Sequence, residues 1–221
     1  MEERKFVSLK KEEYRIREYV KESVGKGKVS YVSIEYTPIG EKIIVTTSRP
    51  GFVIGRKGEK IAELTDTLKK QFKLENPKIE IKEIEKIEFD AQTVADEIAL
   101  ALERFGSLKF KVIAYKMLQR IVKAGALGVE IRLSGKLPSE RAKSWRFADG
   151  YLKKTGDTAS IVDRAQAVAQ TLPGTIGVKV SILTPEKKIH DRIEVNEQLK
   201  QEISNNQKNL AENGDNKKKR N

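Results

Sequence analysis

The chain has 221 residues, which is enough for one large domain or two small domains with separate cores. Its 44 Lys and Arg residues exceed its 32 acidic residues, and the net charge of +12 favours a polyanionic partner. The absence of cysteine excludes disulfides and thiolate metal sites, and the single histidine, His190, argues against a zinc site or a histidine-based catalytic triad.

The first module shows alternating helix and strand patterns. Gly25 and Gly27 end an amphipathic first helix, and Asn76-Pro77 breaks the last one. The patterns predict a helix over 8–24, strands over 29–36 and 42–47, a helical turn over 50–55, a helix over 58–73 and a strand over 78–84.

A Gly-x-x-Gly loop lies between the helical turn and the following helix. Its glycines let a sugar-phosphate backbone approach the main chain, and the helix start adds backbone N–H groups and a positive dipole. Cationic residues add full charges, so the predicted RNA contacts here are Gly55, Arg56, Lys57, Gly58 and Lys60. The tetrapeptide alone also fits an ordinary surface turn, but its position after two strands favours a KH domain.

An acidic connector separates two basic regions. Residues 75–103 hold nine acids and three bases, whereas residues 107–154 hold twelve bases and three acids. Asp90 and Asp96 are expected at a helix start, where carboxylates complement the dipole. We therefore predict a KH domain over 1–88 and a second domain over 89–188.

The second module is predicted to be a two-layer α/β domain with a mostly antiparallel sheet, so the overall class is α+β. The predicted elements are helices over 91–104 and 108–124 and strands over 129–134, 144–153 and 177–183. Residues 161–171 fit either a helix, by their alanines, or a strand, by their alternation.

Cations cluster in this second module. Lys109, Lys116, Arg120 and Lys123 share one helix face, with Val112, Tyr115 and Leu118 to Val122 expected on the core face. A lysine stripe is often merely solvated, but a basic Gly/Pro-containing loop follows it and favours phosphate binding. The further predicted RNA-binding residues are Arg132, Lys136, Arg141, Lys143, Arg146, Lys153 and Lys154. Trp145 either stacks on a base or fills the core, and we favour the core.

Residues 189–221 lack hydrophobic periodicity and are predicted to form a charged, disordered tail. Its basic end, Lys217 to Arg220, either touches nucleic acid or is simply solvated. No apolar run is long enough for a membrane span, and residues 1–5 have no apolar signal region. We therefore expect a cytoplasmic protein with no membrane partner, cofactor, metal or small-molecule substrate.

Several separated blocks resemble one family, the small-subunit ribosomal protein S-three family. The segment Thr47 to Gly58 resembles its type II KH segment, and the other blocks resemble its C-terminal domain. Those blocks are 125–131, 134–137, 141–144 and 173–180. The resemblance covers about residues 8–185, and the Ser-Gly-Lys-Leu and Arg-Ala-Lys-Ser blocks are archaeal or eukaryotic in type.

The resemblance implies a structural component of the small-subunit head beside the mRNA entry channel. It implies contact with small-subunit rRNA through both domains, with mRNA, and with neighbouring head proteins. The family's entry-channel cations fall on Lys111, Val112, Tyr115 and Lys116, of which only Lys111 and Lys116 are basic here. The resemblance therefore assigns RNA contact to those two lysines alone.

Two other classes of function stay open from the sequence. One is a free KH-type RNA-binding factor in RNA processing or assembly. The other is an enzyme acting on nucleic acid through an amine nucleophile, although any exposed lysine fits that role equally well. The chain has no P-loop pattern, and its carboxylates are scattered through charged runs, so we predict that it is not an enzyme.

Overall fold

The computed structural model describes residues 2–38, 40–72, 74 and 76–187. The predicted tail over 189–221 and its basic end lie outside the described residues. None of the described helices is long and apolar enough to cross a membrane.

The first sheet is built from three strands and is covered by helices. The elements are α1 (Glu2–Val24), β1 (Val29–Thr37), β2 (Gly40–Thr47), α2 (Pro50–Ile54), α3 (Glu59–Phe72) and β3 (Lys78–Glu83). Helix α1 begins six residues before the predicted start. The strand order is β1-β2-β3, with β2 antiparallel to β1 and parallel to β3. A parallel pair needs a crossover connection, and α2 and α3 provide it.

The core of the first sheet comes from one stripe of each helix. Ile16 and Val20 of α1, Ile43 of β2, and Leu64 and Leu68 of α3 are buried together. These helical positions are three or four residues apart, as an amphipathic helix requires. The helix–strand order and this core confirm the predicted KH domain. The packing also fixes where α3 begins, and therefore where the Gly-x-x-Gly loop lies.

The second sheet has four antiparallel strands with two helices on one face. The elements are α4 (Ala91–Phe105), α5 (Phe110–Lys123), β4 (Gly128–Gly135), β5 (Lys143–Gly150), β6 (Asp163–Thr171) and β7 (Gly174–Leu183). The strand order is β5-β4-β7-β6. Helix α4 packs on β6 and β7, whereas α5 packs on β4 and β5. This arrangement confirms the predicted two-layer α+β domain.

The ambiguous stretch 161–171 is a strand from Asp163 onward. Ala165, Ala167 and Ala169 are buried, while Gln166 and Val168 between them are exposed. A period of two places the alanines on one face of a strand, and their small side chains let α4 approach the sheet closely. Composition suggested a helix, but the alternation of polar and small residues decides the structure.

The predicted core face of α5 is wrong at three apolar positions. Val112, Tyr115 and Val122 are 68%, 55% and 37% exposed, whereas Phe110, Ala114 and Ile121 are buried. Positions 110, 114, 117, 118 and 121 form one stripe at helical spacing, and 112 and 115 lie off that stripe. Three apolar side chains therefore lie on the surface of α5.

Trp145 is not the core residue that we favoured. It is 37% exposed, because β5 is an edge strand, and one side of its ring packs on Phe110 with the centroids 5.4 Å apart. Strand β5 also ends at Gly150, three residues before the predicted end. Lys153 therefore follows the strand and is not part of it.

Asp90 joins the two sheets at the start of α4. One carboxylate oxygen accepts a hydrogen bond from the Thr93 N–H at 2.9 Å, which caps the helix as predicted. The other oxygen accepts from the Ser30 hydroxyl on β1 at 2.6 Å. Asp96, also expected at the helix start, lies in the second turn instead and accepts from Gln92 at 3.1 Å.

Candidate nucleic-acid interface

The Gly-x-x-Gly loop forms a tight turn between α2 and α3. Gly55 and Gly58 have φ angles of 74° and 80°, which favour glycine. Lys57 between them has φ 50° and ψ 23°, and it is the one non-glycine residue with positive φ in the described part of the chain. Left-handed backbone at a lysine costs about 1–2 kcal/mol. Such strain is typical of a functional loop.

The two glycines have different surroundings. A Cβ atom on Gly55 would lie 2.7 Å from Cγ of Lys60, so this glycine is needed for packing within the loop. A Cβ atom on Gly58 would meet nothing within 4 Å. The space next to the Gly58 Cα atom is therefore open to a ligand, and the exposed side chains of Arg56 and Lys57 flank it. The geometry fits a phosphate held at a helix start.

Lysines of the 107–123 region are exposed beside aromatic rings. Lys111 Nζ lies 4.7 Å from the centroid of the Trp145 ring and 5.9 Å from that of Phe110. Lys109, in the short turn before α5, lies 5.9 Å from the centroid of Phe105. Cation–π contacts at these distances hold an ammonium group near an aromatic surface without neutralising it.

Lys116, Arg120 and Lys123, three of the four cations of the predicted shared face, line one groove between α4 and α5, whereas Lys109 precedes α5. Arg120 differs from its neighbours, because its guanidinium lies 3.0 Å from Glu88 and 3.0 Å from Glu97. The Glu88 backbone N–H and the Arg120 guanidinium together hold the pKa of the Glu88 carboxyl below its ordinary value. Arg120 is therefore committed to a contact within the protein, and its predicted RNA contact needs those pairs to open.

Three predicted RNA-binding cations converge on one carboxylate, Glu130. Arg132 Nε lies 2.6 Å from one oxygen, and Lys154 Nζ and Arg146 Nη2 lie 2.8 Å and 3.1 Å from the other. The Glu130 side chain is only 7% exposed. Burial alone would raise the pKa of its carboxyl, but the three cations outweigh this effect and lower the pKa to about 2.

The remaining predicted cations lie at other positions of the second domain. Lys136 and Arg141 lie exposed on the connection from β4 to β5, Lys143 is the exposed first residue of β5, and Lys153 is half-buried after β5. This connection includes the predicted Gly/Pro-containing loop. RNA contact by these four residues stays a prediction.

Sequence reasoning missed Lys179 and Arg164, which lie on the same face of the second sheet as Arg132. The register places Lys179 of β7 opposite Arg132 of β4, and Arg164 of β6 opposite Ser181 of β7. The alternation of polar and apolar residues in β6 and β7 was the sequence signal that could have placed both cations on one face. It was not usable because the β6 segment was ambiguous and the strand order was unknown.

The described residues contain no cluster of three or more His, Cys, Asp or Glu side chains that could hold a metal ion. The carboxylates near the basic residues are instead paired with them. Glu130, Glu88 and Glu97 all contact cations. The arrangement is suited to binding a polyanion through fixed cations.

Comparison with known families identifies both domains. Residues 15–90 match the KH domain, and residues 98–182 match the ribosomal protein S3 C-terminal domain. The first match contains the Gly55 to Gly58 loop, and the second contains α5 and the Glu130 cluster.

Curated relatives match the chain over most of its length. The small ribosomal subunit protein uS3 of Methanocaldococcus jannaschii is 43% identical over 198 residues, covering 89% of this chain and 94% of that protein. The proteins of the same name from Methanococcus vannielii and Methanococcus maripaludis strain C5 are 40% and 39% identical, covering 87% and 88% of this chain and 91% and 92% of those proteins. These methanogen relatives agree with the archaeal type predicted from the sequence blocks.

Proposed function

The chain belongs to the small ribosomal subunit protein uS3 family, and we propose that it is a structural component of the small ribosomal subunit that binds small-subunit rRNA. The observation that supports RNA binding most directly is the strained, open loop of Gly55 to Gly58, with Arg56 and Lys57 at its tip. The protein would act in the cytoplasm as part of the ribosome, like other ribosomal proteins.

The finer proposal places the protein in the head of the subunit, beside the mRNA entry channel and in contact with neighbouring head proteins. Lys111 and Lys116 are exposed on α5 and are the two basic residues at the family's entry-channel positions. Val112 and Tyr115 are exposed as well, so the same surface offers apolar contacts to mRNA between its cations. Passage of mRNA along α5 is therefore supported by two cations at the four family positions.

A structural role fits the distribution of ionisable groups better than catalysis does. The buried carboxylate Glu130 is held in its charged form by three cations, with a pKa of about 2, which is unsuited to proton transfer near neutral pH. The family is a structural family of ribosomal proteins. We propose that this chain likewise supports translation by holding RNA and carries out no reaction of its own.

Sucrose-gradient sedimentation of a cell lysate in high salt, with immunodetection of the chain, tests this function. High salt screens weak electrostatic association, so only an integral component stays with the small subunit. We expect retention in a constant ratio to the small subunit. Release to the top fractions would instead support the alternative function, a free KH-type factor in RNA processing or assembly.

A further inference from the structure

The outer face of the second sheet is the face opposite α4 and α5, and it carries a row of cations. The register aligns Arg146 of β5, Arg132 of β4 and Lys179 of β7 across three neighbouring strands. Neighbouring strands lie about 4.8 Å apart, so the row is about 10 Å wide. In the adjacent row, Glu130 of β4 aligns with Ser181, which in turn aligns with Arg164 of β6.

The outer face has a fixed excess of positive charge. Its strand positions hold four cations and one carboxylate, a sum of +3, and Lys154 after β5 raises it to +4. The carboxylate, Glu130, is 7% exposed, whereas the Arg132 and Arg146 side chains that contact it are 51% and 53% exposed. The negative charge is thus covered by its partners, which still present N–H groups to solvent.

These cations surround a shallow pocket of about 230 Å³. Arg132, Lys154, Arg164 and Lys179 all contribute to its lining. The Arg164 Nη2 atom lies 3.4 Å from the Lys154 carbonyl oxygen, which links β6 to the segment after β5. Glu130 also lines the pocket and holds Arg132 and Lys154 at 2.6 Å and 2.8 Å. The pocket is therefore built by contacts that position cations around an open space.

We propose that the outer face is an RNA-binding site of its own, which holds the phosphate backbone of an RNA duplex. The inference rests on the proposed function only in taking RNA as the partner. Single strands are generally bound by stacking their bases on aromatic side chains. The outer positions of β4–β7 carry no aromatic residue, because Trp145 and Phe147 point to the helix side of β5.

A neighbouring protein fits this face less well than RNA does. The central part of a protein–protein interface is depleted of charged residues. Here the two central strands present Arg132, Lys179 and Glu130. Duplex RNA is recognised mainly by its shape and its phosphates, and it needs only the flat cationic surface that the four strands provide. The Gly-x-x-Gly loop and the outer face would then divide single-stranded and duplex RNA between them.

The test compares two RNA probes and three forms of the full chain. Fluorescence anisotropy is used to measure binding to a blunt RNA duplex of about 16 base pairs and to a single strand of the same length, over a series of KCl concentrations. The variant is Arg164→Gln with Lys179→Gln, because both side chains line the pocket and neither is one of the three cations that contact Glu130. The control variant is Lys11→Gln with Arg4→Gln, which removes the same charges from exposed positions of α1.

The slope of log affinity against log salt is negative for RNA binding. We expect the outer-face variant to reduce its magnitude for the duplex by about 1.8, because each lost phosphate contact removes about 0.9. Binding of the single strand and both slopes of the control variant should stay close to those of the unchanged chain. An equal loss of salt dependence in both variants would show that only net charge matters, and it would overturn the proposal.

The remaining outcomes separate this site from the proposed function. Unchanged duplex binding together with loss of the variant from high-salt small subunits would assign the face to a protein neighbour and overturn the proposal. Unchanged duplex binding with normal retention on the subunit would overturn the duplex site and leave the ribosomal role intact. Duplex binding that depends on the face, in a chain that is released from small subunits, would support the site and refute the ribosomal role.

Discussion

The Ser30 hydroxyl donates a hydrogen bond of 2.6 Å to the Asp90 carboxylate, and this contact links the first sheet to the first helix of the second domain. The same carboxylate accepts from the Thr93 N–H at 2.9 Å and so caps α4. Asp90 therefore has a local role and a long-range role at once. Its position 60 residues from Ser30 makes the pairing invisible to local sequence patterns.

Replacing Asp90 with alanine should destabilise the protein. The change removes both the helix cap and the acceptor of Ser30, and we expect the free energy of unfolding to fall by about 1–3 kcal/mol. Urea denaturation followed by circular dichroism measures this. Asp90→Asn is the control, because its amide oxygen can still cap the helix, and it should lose less. Equal losses in the two variants would show that the charge, and not the cap, carries the effect.

Gly58→Asp should weaken binding of single-stranded RNA by about tenfold or more, equivalent to about 1.4 kcal/mol. A carboxylate at this position would enter the open space in which we place a phosphate. Gly58→Asn is the matched control, because asparagine tolerates positive φ and adds no charge. Fluorescence anisotropy with a labelled single strand gives the affinities. The clamp assignment fails if the two variants bind equally well.

Changing Lys116 and Arg120 should have unequal effects on RNA binding. Lys116 has no ion pair in the described part of the chain. Lys116→Gln should therefore reduce the magnitude of the slope of log affinity against log salt by about 0.9. Arg120→Gln should leave the slope unchanged, because its guanidinium is already held by Glu88 and Glu97. A drop of about 0.9 for Arg120→Gln would mean that these pairs open when RNA binds.

Glu130→Gln should change how stability depends on pH. The folded pKa of about 2 lies below the ordinary value of 4.5, so the ionised carboxylate stabilises the fold above pH 4.5. This contribution is lost as the pH falls from about 4.5 to 2. We expect the variant to be less stable by about 1–3 kcal/mol at pH 7 and to approach the unchanged chain near pH 2.

Urea titrations at a series of pH values measure this difference. The matched control is Glu140→Gln, because Glu140 is an exposed carboxylate on the connection between β4 and β5. It should leave the pH profile nearly unchanged. A constant gap between the Glu130 variant and the unchanged chain from pH 7 to pH 2 would mean that packing, and not ionisation, explains the loss of stability.

Local patterns in the sequence were sufficient to predict the elements of the first domain and the loop at Gly55 to Gly58. Hydrophobic spacing of three or four residues marks the buried stripe of a helix, and alternation marks a half-buried strand. Glycine at positive φ is also a local requirement, so the loop could be recognised without its neighbours. The same rules were insufficient for 161–171, where alanines fit both periods, and for Val112 and Tyr115, whose burial depends on how α5 is rotated against the sheet.

The sequence by itself determined that the chain is strongly basic, that a KH loop is present and that cations follow in the second domain. Only the tertiary structure decided which of these cations are already paired. Arg120 meets Glu88 across 32 residues of chain, and Arg146 and Lys154 meet Glu130 across 16 and 24 residues. Ion pairs form between groups that folding brings within about 4 Å, and strand register and helix packing set those distances. Composition counts charges, whereas the fold decides how they are shared, because Arg120 faces two carboxylates while three cations share the single carboxylate of Glu130.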